Sequence, residues 1–166
     1  NGTFLEFTVN GHAIGDTIAL TKAGELKVQG RAVGRNDFQR IELVHNGKVI
    51  HPTDSQPANG HFTAQMEFTL KVERPGWLAL RIPQPAGKNE FGKELFAHTS
   101  PIYIEVAGET VFRPGIARQL MTEIHANIEV INEKGVFADS DEREAVLKVH
   151  HQGIDALRAL ISAKEE

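Results

Sequence analysis

HFTAQMEFTLKV, residues 61–72, is the stretch on which the fold turns: Phe62, Ala64, Met66, Phe68, Leu70 and Val72 alternate with polar neighbours over twelve positions. A period of two, sustained that long, describes a strand with one wet face and leaves no helical stripe. Working outward, TFLEFTV (3–9) ends in Asn10-Gly11, and RIELVHNGKVI (40–50) holds Asn46-Gly47 between apolar flanks. Asn-Gly supplies the positive φ angles of a type I′ turn, so the second stretch predicts a tight hairpin. Further strands are expected at Thr17–Leu20, ELKVQGRAV (25–33), GWLALRI (76–82), PIYIEV (101–106) and a short TVF (110–112). About eight strands without intervening helices predict a mainly β fold, an antiparallel immunoglobulin-like β-sandwich. A small eight-stranded barrel satisfies the same pattern.

After Arg113-Pro114 the period changes. Ala117, Met121, Ile124, Ile128 and Ile131 step by four and three, one stripe of a helix. Pro114 suits its first turn and Gly135 its C-terminal cap. Asp139, answered three residues on by Glu142, predicts the start of a second helix with the stripe Val146, Val149, Gly153, Leu157 and Leu160. Gly153 weakens that helix by about 1 kcal/mol, which a close approach of the first helix would explain. The expected organisation is therefore a β-sandwich over 1–112 followed by a C-terminal αα-hairpin over 113–166, packed on the sandwich as one compact unit or on a missing neighbour. Two long polar loops are expected, 51–60 and 83–100, with a helical turn at Glu94–Ala97 in the second.

Charge narrows the function. Residues up to Phe112 carry 11 basic and 12 acidic side chains, and the remainder 7 and 10. Neither part has the basic excess that a phosphate backbone demands, so nucleic acid is not an expected partner. No apolar run reaches the roughly 20 residues of a membrane span. With no cysteine, disulfides, thiolate metal sites and Cys nucleophiles are excluded. The start at Asn1, already close to strand, reads as a fragment or a processed product. Asn1-Gly2-Thr3 matches a glycosylation sequon.

Eight histidines, at 12, 45, 51, 61, 98, 125, 150 and 151, invite a metal site. No pair has the i, i+4 spacing of a helical site or the i, i+2 spacing of a strand site. Glu94 and His98 have helical spacing, but Pro101 follows too soon. His45, His51 and His61 flank one hairpin and its loop; they read as solvated turn histidines or, less simply, as convergent ligands. No metal ligand and no catalytic residue is therefore assigned. AHTSPIYIEV (97–106) contains His98 and Ser100 two apart, yet there is no G-x-S-x-G elbow. Thr99 and Ser100 are expected to satisfy loop backbone groups while His98 bonds the turn. Trp77, the one tryptophan, is expected in the core between the sheets. Arg81 falls on its face, and an Arg there pairs with a carboxylate or caps loop carbonyls. Were that face exposed, Trp77, Arg81, His98, Thr99 and Tyr103 would be its binding candidates.

NGTFLEFTVNG at the start, W-L-A-L-R in the middle and A-H-T-S-P-I-Y after it resemble one family in order and spacing. They are similar to the C-terminal region of carbaryl-hydrolase-like (CehA/McbA-type) metallohydrolases of the PHP (polymerase and histidinol phosphatase) superfamily. The carriers are Asn1, Gly2, Leu5, Asn10, Gly11, Trp77, Arg81, Ala97, His98, Thr99, Pro101 and Tyr103. The resemblance implies a non-catalytic accessory domain packed beside an N-terminal catalytic domain of the same polypeptide. That domain would hold the divalent metal, Zn or Mn, and the whole would be periplasmic or extracellular. No H-x-H occurs in this chain, and Thr3 stands where Pro is expected. No catalytic residue carries over. Like copies could assemble through the helices. The other expectation is a stand-alone carbohydrate or cell-surface binding module using Trp77, Tyr103 or the 51–61 loop, and a third is a small hydrolase using His98 and Ser100.

Overall fold

The computed structural model describes residues 2–84, 86–89 and 91–165; Asn1, which carries the sequon and part of the resemblance, lies outside them. The chain forms two compact units, Asn1–Val111 and Phe112–Glu166. The first is built of strands β1 (Phe4–Val9), β2 (Thr17–Leu20), β3 (Gly24–Gly34), β4 (Arg40–His45), β5 (Lys48–Asp54), β6 (Gln56–Ala58), β7 (His61–Val72), β8 (Gly76–Ile82), β9 (Ala97–His98) and β10 (Ile102–Val106). They form two sheets. One runs β1-β3-β7-β6; the other runs β2-β10-β8-β4-β5, with β9 pairing β8 beside β10.

Alternation decides which side of each strand is dry. In β3, Leu26, Val28 and Ala32 are buried while Lys27, Gln29 and Arg31 are exposed. In β7, Ala64, Met66 and Val72 are buried and Gln65, Glu67 and Lys71 are exposed. The inward residues of both sheets meet in one core, with Val28 and Met66 from one sheet and Leu43, Leu78 and Leu80 from the other. Gly30 marks how closely they approach: a Cβ there would stand 3.0 Å from Met66 and 3.2 Å from Leu80. Only a bare backbone admits the facing leucine at its present depth.

The wet face of the four-stranded sheet is a charge ladder. Lys27 reaches Glu67 at 2.7 Å, Gln29 donates to Glu67 at 3.1 Å, and Arg31 reaches Glu6 at 3.0 Å. Exposed pairs of this kind add little stability, ~0–1 kcal/mol each, but they keep the face hydrated.

Four expectations need correction. The six-stranded sheet is mixed: β10 pairs β2 in parallel, which a partner 86 residues away in sequence can do and a hairpin neighbour cannot. The 51–60 segment is no loop, since β5 continues to Asp54 and β6 follows, closed by Asn59-Gly60 with φ of 48° and 81°. Its Pro52 and Pro57 disguised it, and both lie on sheet-edge strands where a missing N–H is harmless. TVF forms no strand; Val106 bridges Glu109 around a tight turn. Glu94–Ala97 is not helical either. Glu94 bridges Lys88, Leu95 enters the core, and Ala97 begins β9.

The second unit holds α1 (Pro114–Lys134) and α2 (Ser140–Glu165), which contact each other. Along α1 the five stripe residues are covered and those between them exposed. At its end Gly135 is not left-handed, with φ −65°; glycine is needed because a Cβ would collide with the Ile131 carbonyl and the Phe137 ring. Asp139 accepts from the Glu142 N–H at 2.8 Å, while Glu142 accepts from the Ala138 N–H at 2.6 Å, one residue earlier than a capping box places it. On α2 the stripe is rotated from expectation. Val146, Leu147, His150, Gly153, Ile154, Leu157 and Ile161 are covered, and Val149 and Leu160 are exposed.

Candidate functional site

The site is built on β8. Gly76, Leu78, Leu80 and Ile82 take the inward positions, so Trp77, Ala79 and Arg81 must stand on the outer face. Trp77 is thus half-buried on that face rather than lodged between the sheets. Core alternation overrides the general preference of tryptophan for the interior. Its backbone is clasped by the Asn46-Gly47 turn: Asn46 Oδ1 accepts from the Trp77 N–H at 3.0 Å, and the Trp77 carbonyl accepts from the Asn46 N–H at 3.1 Å. The turn itself has the positive φ angles, 51° and 86°, that Asn-Gly provides.

The stretch from Ala97 to Tyr103 supplies the opposite wall, through an irregularity. Ala97 pairs Ile82 and Ile102 pairs Leu78. Five residue steps on the β9–β10 side therefore face four on β8. The extra residue is a bulge. It changes the parity of the strand, so that His98 and Tyr103, an odd number apart, both stand outward while Ala97 and Ile102 turn inward. Thr99 repairs the ladder across the gap. Its N–H donates to the Leu80 carbonyl at 2.9 Å, and its Oγ1 accepts from the Leu80 N–H at 3.1 Å. Thr99 is buried and satisfies both polar groups of Leu80.

The result is a hollow of about 410 Å³ lined by Val44, Gly47, Trp77, Ala79, Arg81, His98, Thr99, Pro101 and Tyr103. All five residues singled out from the sequence, Trp77, Arg81, His98, Thr99 and Tyr103, meet in it. Tyr103 pairs Trp77 across the strands, and His98 pairs Arg81. Ala79, paired with Val44, lies between the two polar rows and leaves the space open. Ser100 is exposed and does not line the hollow. Among the described residues the His98 ring makes one hydrogen bond, a long one of 3.4 Å between Nδ1 and the Thr99 carbonyl.

Arg81 pairs with a carboxylate, Glu42, its register neighbour on β4. Arg81 Nε and Nη2 reach Glu42 Oε2 at 2.9 and 2.8 Å, and Arg40 Nε reaches Oε1 at 2.8 Å. Glu42 is 4 % exposed. Burial alone would push its carboxyl up, but the hydrogen bonds and charges of Arg40 and Arg81 outweigh it and hold the group below its usual range. Among the described residues no acidic side chain lines the hollow, and Arg81 brings a guanidinium to its rim. Glu42, Val44 and Ala79 escaped the sequence reading, although the alternation of RIELVH contained the signal: Glu42 falls outward between Ile41 and Leu43.

The three hairpin histidines do not converge. His45 Nε2 is buried at the end of the core without a hydrogen bond, and burial pushes its pKa down. His51 stacks on Phe68 with centroids 4.4 Å apart, and His61 approaches the Asn59 carbonyl. Two of them are thus packed rather than solvated. Among the described residues no group of three or more metal-ligating side chains stands together, and no helix is long and apolar enough to cross a membrane. In the second unit, a more open depression follows α2 past Glu144, Lys148, His151 and Asp155. All of it lies on one helix, with no opposing wall.

No family model matches the sequence, and no curated protein matches it either.

Proposed function

We propose that this chain is a non-catalytic accessory domain, an immunoglobulin-like β-sandwich followed by an αα-hairpin, of a larger exported metal-dependent hydrolase of the PHP type. Its working surface is the hollow on the outer face of the six-stranded sheet. One observation carries the reading: of the residues that make the resemblance, Trp77, Arg81, His98, Thr99, Pro101 and Tyr103 all line that one hollow. They are recognition groups, two amphipathic aromatic rings beside an arginine already anchored by a buried carboxylate. The divalent metal, Zn or Mn, belongs in this reading to the N-terminal catalytic domain. Phe91 and Phe96, 69 and 65 % exposed in the 83–97 segment, offer further apolar contact area. Exposed Ile116, Leu120 and Val130 on α1 support assembly of like copies through the helices.

The test is metal content and phosphoesterase or amidase turnover of the purified 166-residue chain. Neither is expected. Stoichiometric Zn or Mn together with turnover overturns the reading.

The outward placement of Trp77 beside Tyr103 also favours the second reading, a carbohydrate-binding module. The two agree on which surface works and differ on whether a catalytic partner is attached.

A further inference from the structure

The outer faces of the two sheets are chemically unlike. One is a hydrated ladder of compensated charges, Lys27, Gln29 and Arg31 against Glu67 and Glu6. The other presents Trp77 and Tyr103 as a register pair, an apolar floor of Val44 and Ala79, and a rim of Arg81 and His98. Its volume falls within the roughly 300–1,000 Å³ of small-ligand sites, and the hollow is open to solvent. An open hollow beside two aromatic rings suits a ring that presents one apolar C–H face and keeps hydroxyls in water, as a pyranose does. An all-apolar ligand would gain more from an enclosed cavity.

The rim adds a charge requirement. Among the described residues no acidic side chain lines the hollow, while Arg81 brings a permanent positive charge to it. Arg81 uses Nε and Nη2 on Glu42, so its Nη1 has no partner among the described residues, while the side chain is 45 % exposed. The carboxylate holds the guanidinium in place, and one edge remains available as a charge-assisted donor. His98 stands at the neighbouring position on the next strand. The donors are on the rim and the rings on the walls, so an occupant needs an anionic group at the edge of a ring.

We infer that the hollow binds an acidic sugar, a pyranose bearing a carboxylate, as a unit of an oligo- or polysaccharide. The ring lies against Trp77 and Tyr103, and its carboxylate accepts from Arg81 Nη1. This assignment rests on the recognition reading above and names the ligand class of the same surface.

Trp77 is the chain's one tryptophan, so its emission reports the hollow without background. The experiment titrates the 166-residue chain with a galacturonate tetramer and, separately, with an uncharged galactose tetramer. The acidic tetramer is expected to change the emission saturably. The neutral one should bind at least about tenfold more weakly, a difference of ~1.4 kcal/mol. Tyr103→Ala should weaken the acidic tetramer at least about tenfold with circular dichroism unchanged. Arg81→Gln alone strands Glu42, so the Arg81 donor is tested with Glu42→Gln and Arg81→Gln combined, which removes the Nη1 donor and leaves the local net charge unchanged; this pair should bring the two tetramers to equal affinity. Equal affinities in the native chain overturn the inference, as does an emission change that survives Tyr103→Ala. So does silence toward both sugars, or an emission that responds only to chain concentration, which would mark a contact between copies. In each of those outcomes the accessory-domain reading is still judged by metal content and turnover, a separate measurement.

Discussion

Glu42 shows how a single residue is held by its surroundings against its own preference. Buried on an outer sheet face, its carboxylate stays ionised because Arg40 and Arg81 hydrogen-bond both oxygens. Against the upward push of burial, the two guanidiniums hold its pKa below the ordinary glutamate value, so the stabilisation is present above about pH 4.3 and is lost as pH falls through the folded value. Glu42→Gln should flatten the acid limb of a stability–pH curve followed by urea unfolding, and Arg81→Ala should cost about 2 kcal/mol at neutral pH. His45 acts in the same direction along the pH axis, at a higher pH. Its folded pKa is depressed by burial, so the unfolded chain takes up the proton first, and stability falls as pH drops below about 6.5. His45→Leu should remove that decline between pH 7 and 5, read as the shift in thermal midpoint. Thr99→Val keeps the shape but withdraws the oxygen that serves the Leu80 N–H. A loss of ~1–3 kcal/mol in denaturant unfolding is expected, with Thr99→Ser close to native.

Elements were legible where the period ran long. β7 and β8 occupy the ranges that alternation marks, and α1 begins at its proline. Elements were missed where composition argued against geometry: the prolines of β5 and β6 read as loop, and β9 is two residues long. Within α2 the stripe was misjudged because Val149 and Leu160 are apolar yet exposed, at 66 and 51 %; propensity to be covered is decided by the partner helix, which a single-helix pattern omits. Gly153 makes the same point. A Cβ there would meet Ile124 Cδ1 at 3.6 Å, an ordinary contact, so close approach does not demand glycine. Gly153→Ala should therefore stabilise α2 by up to about 1 kcal/mol, measured by thermal unfolding followed at 222 nm, while Gly153→Leu should destabilise it. A destabilising alanine would show that the helices lie closer than this spacing.

At the scale of the whole molecule, the core that supports the hollow lies between Phe7 and Val106, and every residue lining the hollow falls in the same unit. A chain ending at Val111 should keep its cooperative unfolding and the same Trp77 response to ligand as the 166-residue chain. A Trp77 response lost on truncation would place part of the binding surface on the helices. Composition and period by themselves determined that this protein is mainly β with a helical C-terminal part, because burial of one face imposes a two- or 3.6-residue repeat on any chain. Residue type and the resemblance marked Trp77, Arg81, His98, Thr99 and Tyr103 as worth attention. That these five share a surface was decided only in three dimensions. Strand parity turned Trp77 away from the core, pairing set Glu42 beneath Arg81, and one extra residue between Ala97 and Ile102 brought His98 and Tyr103 to the same side. A bulge depends on what the neighbouring strand pairs with, and that information is not local to AHTSPIYIEV.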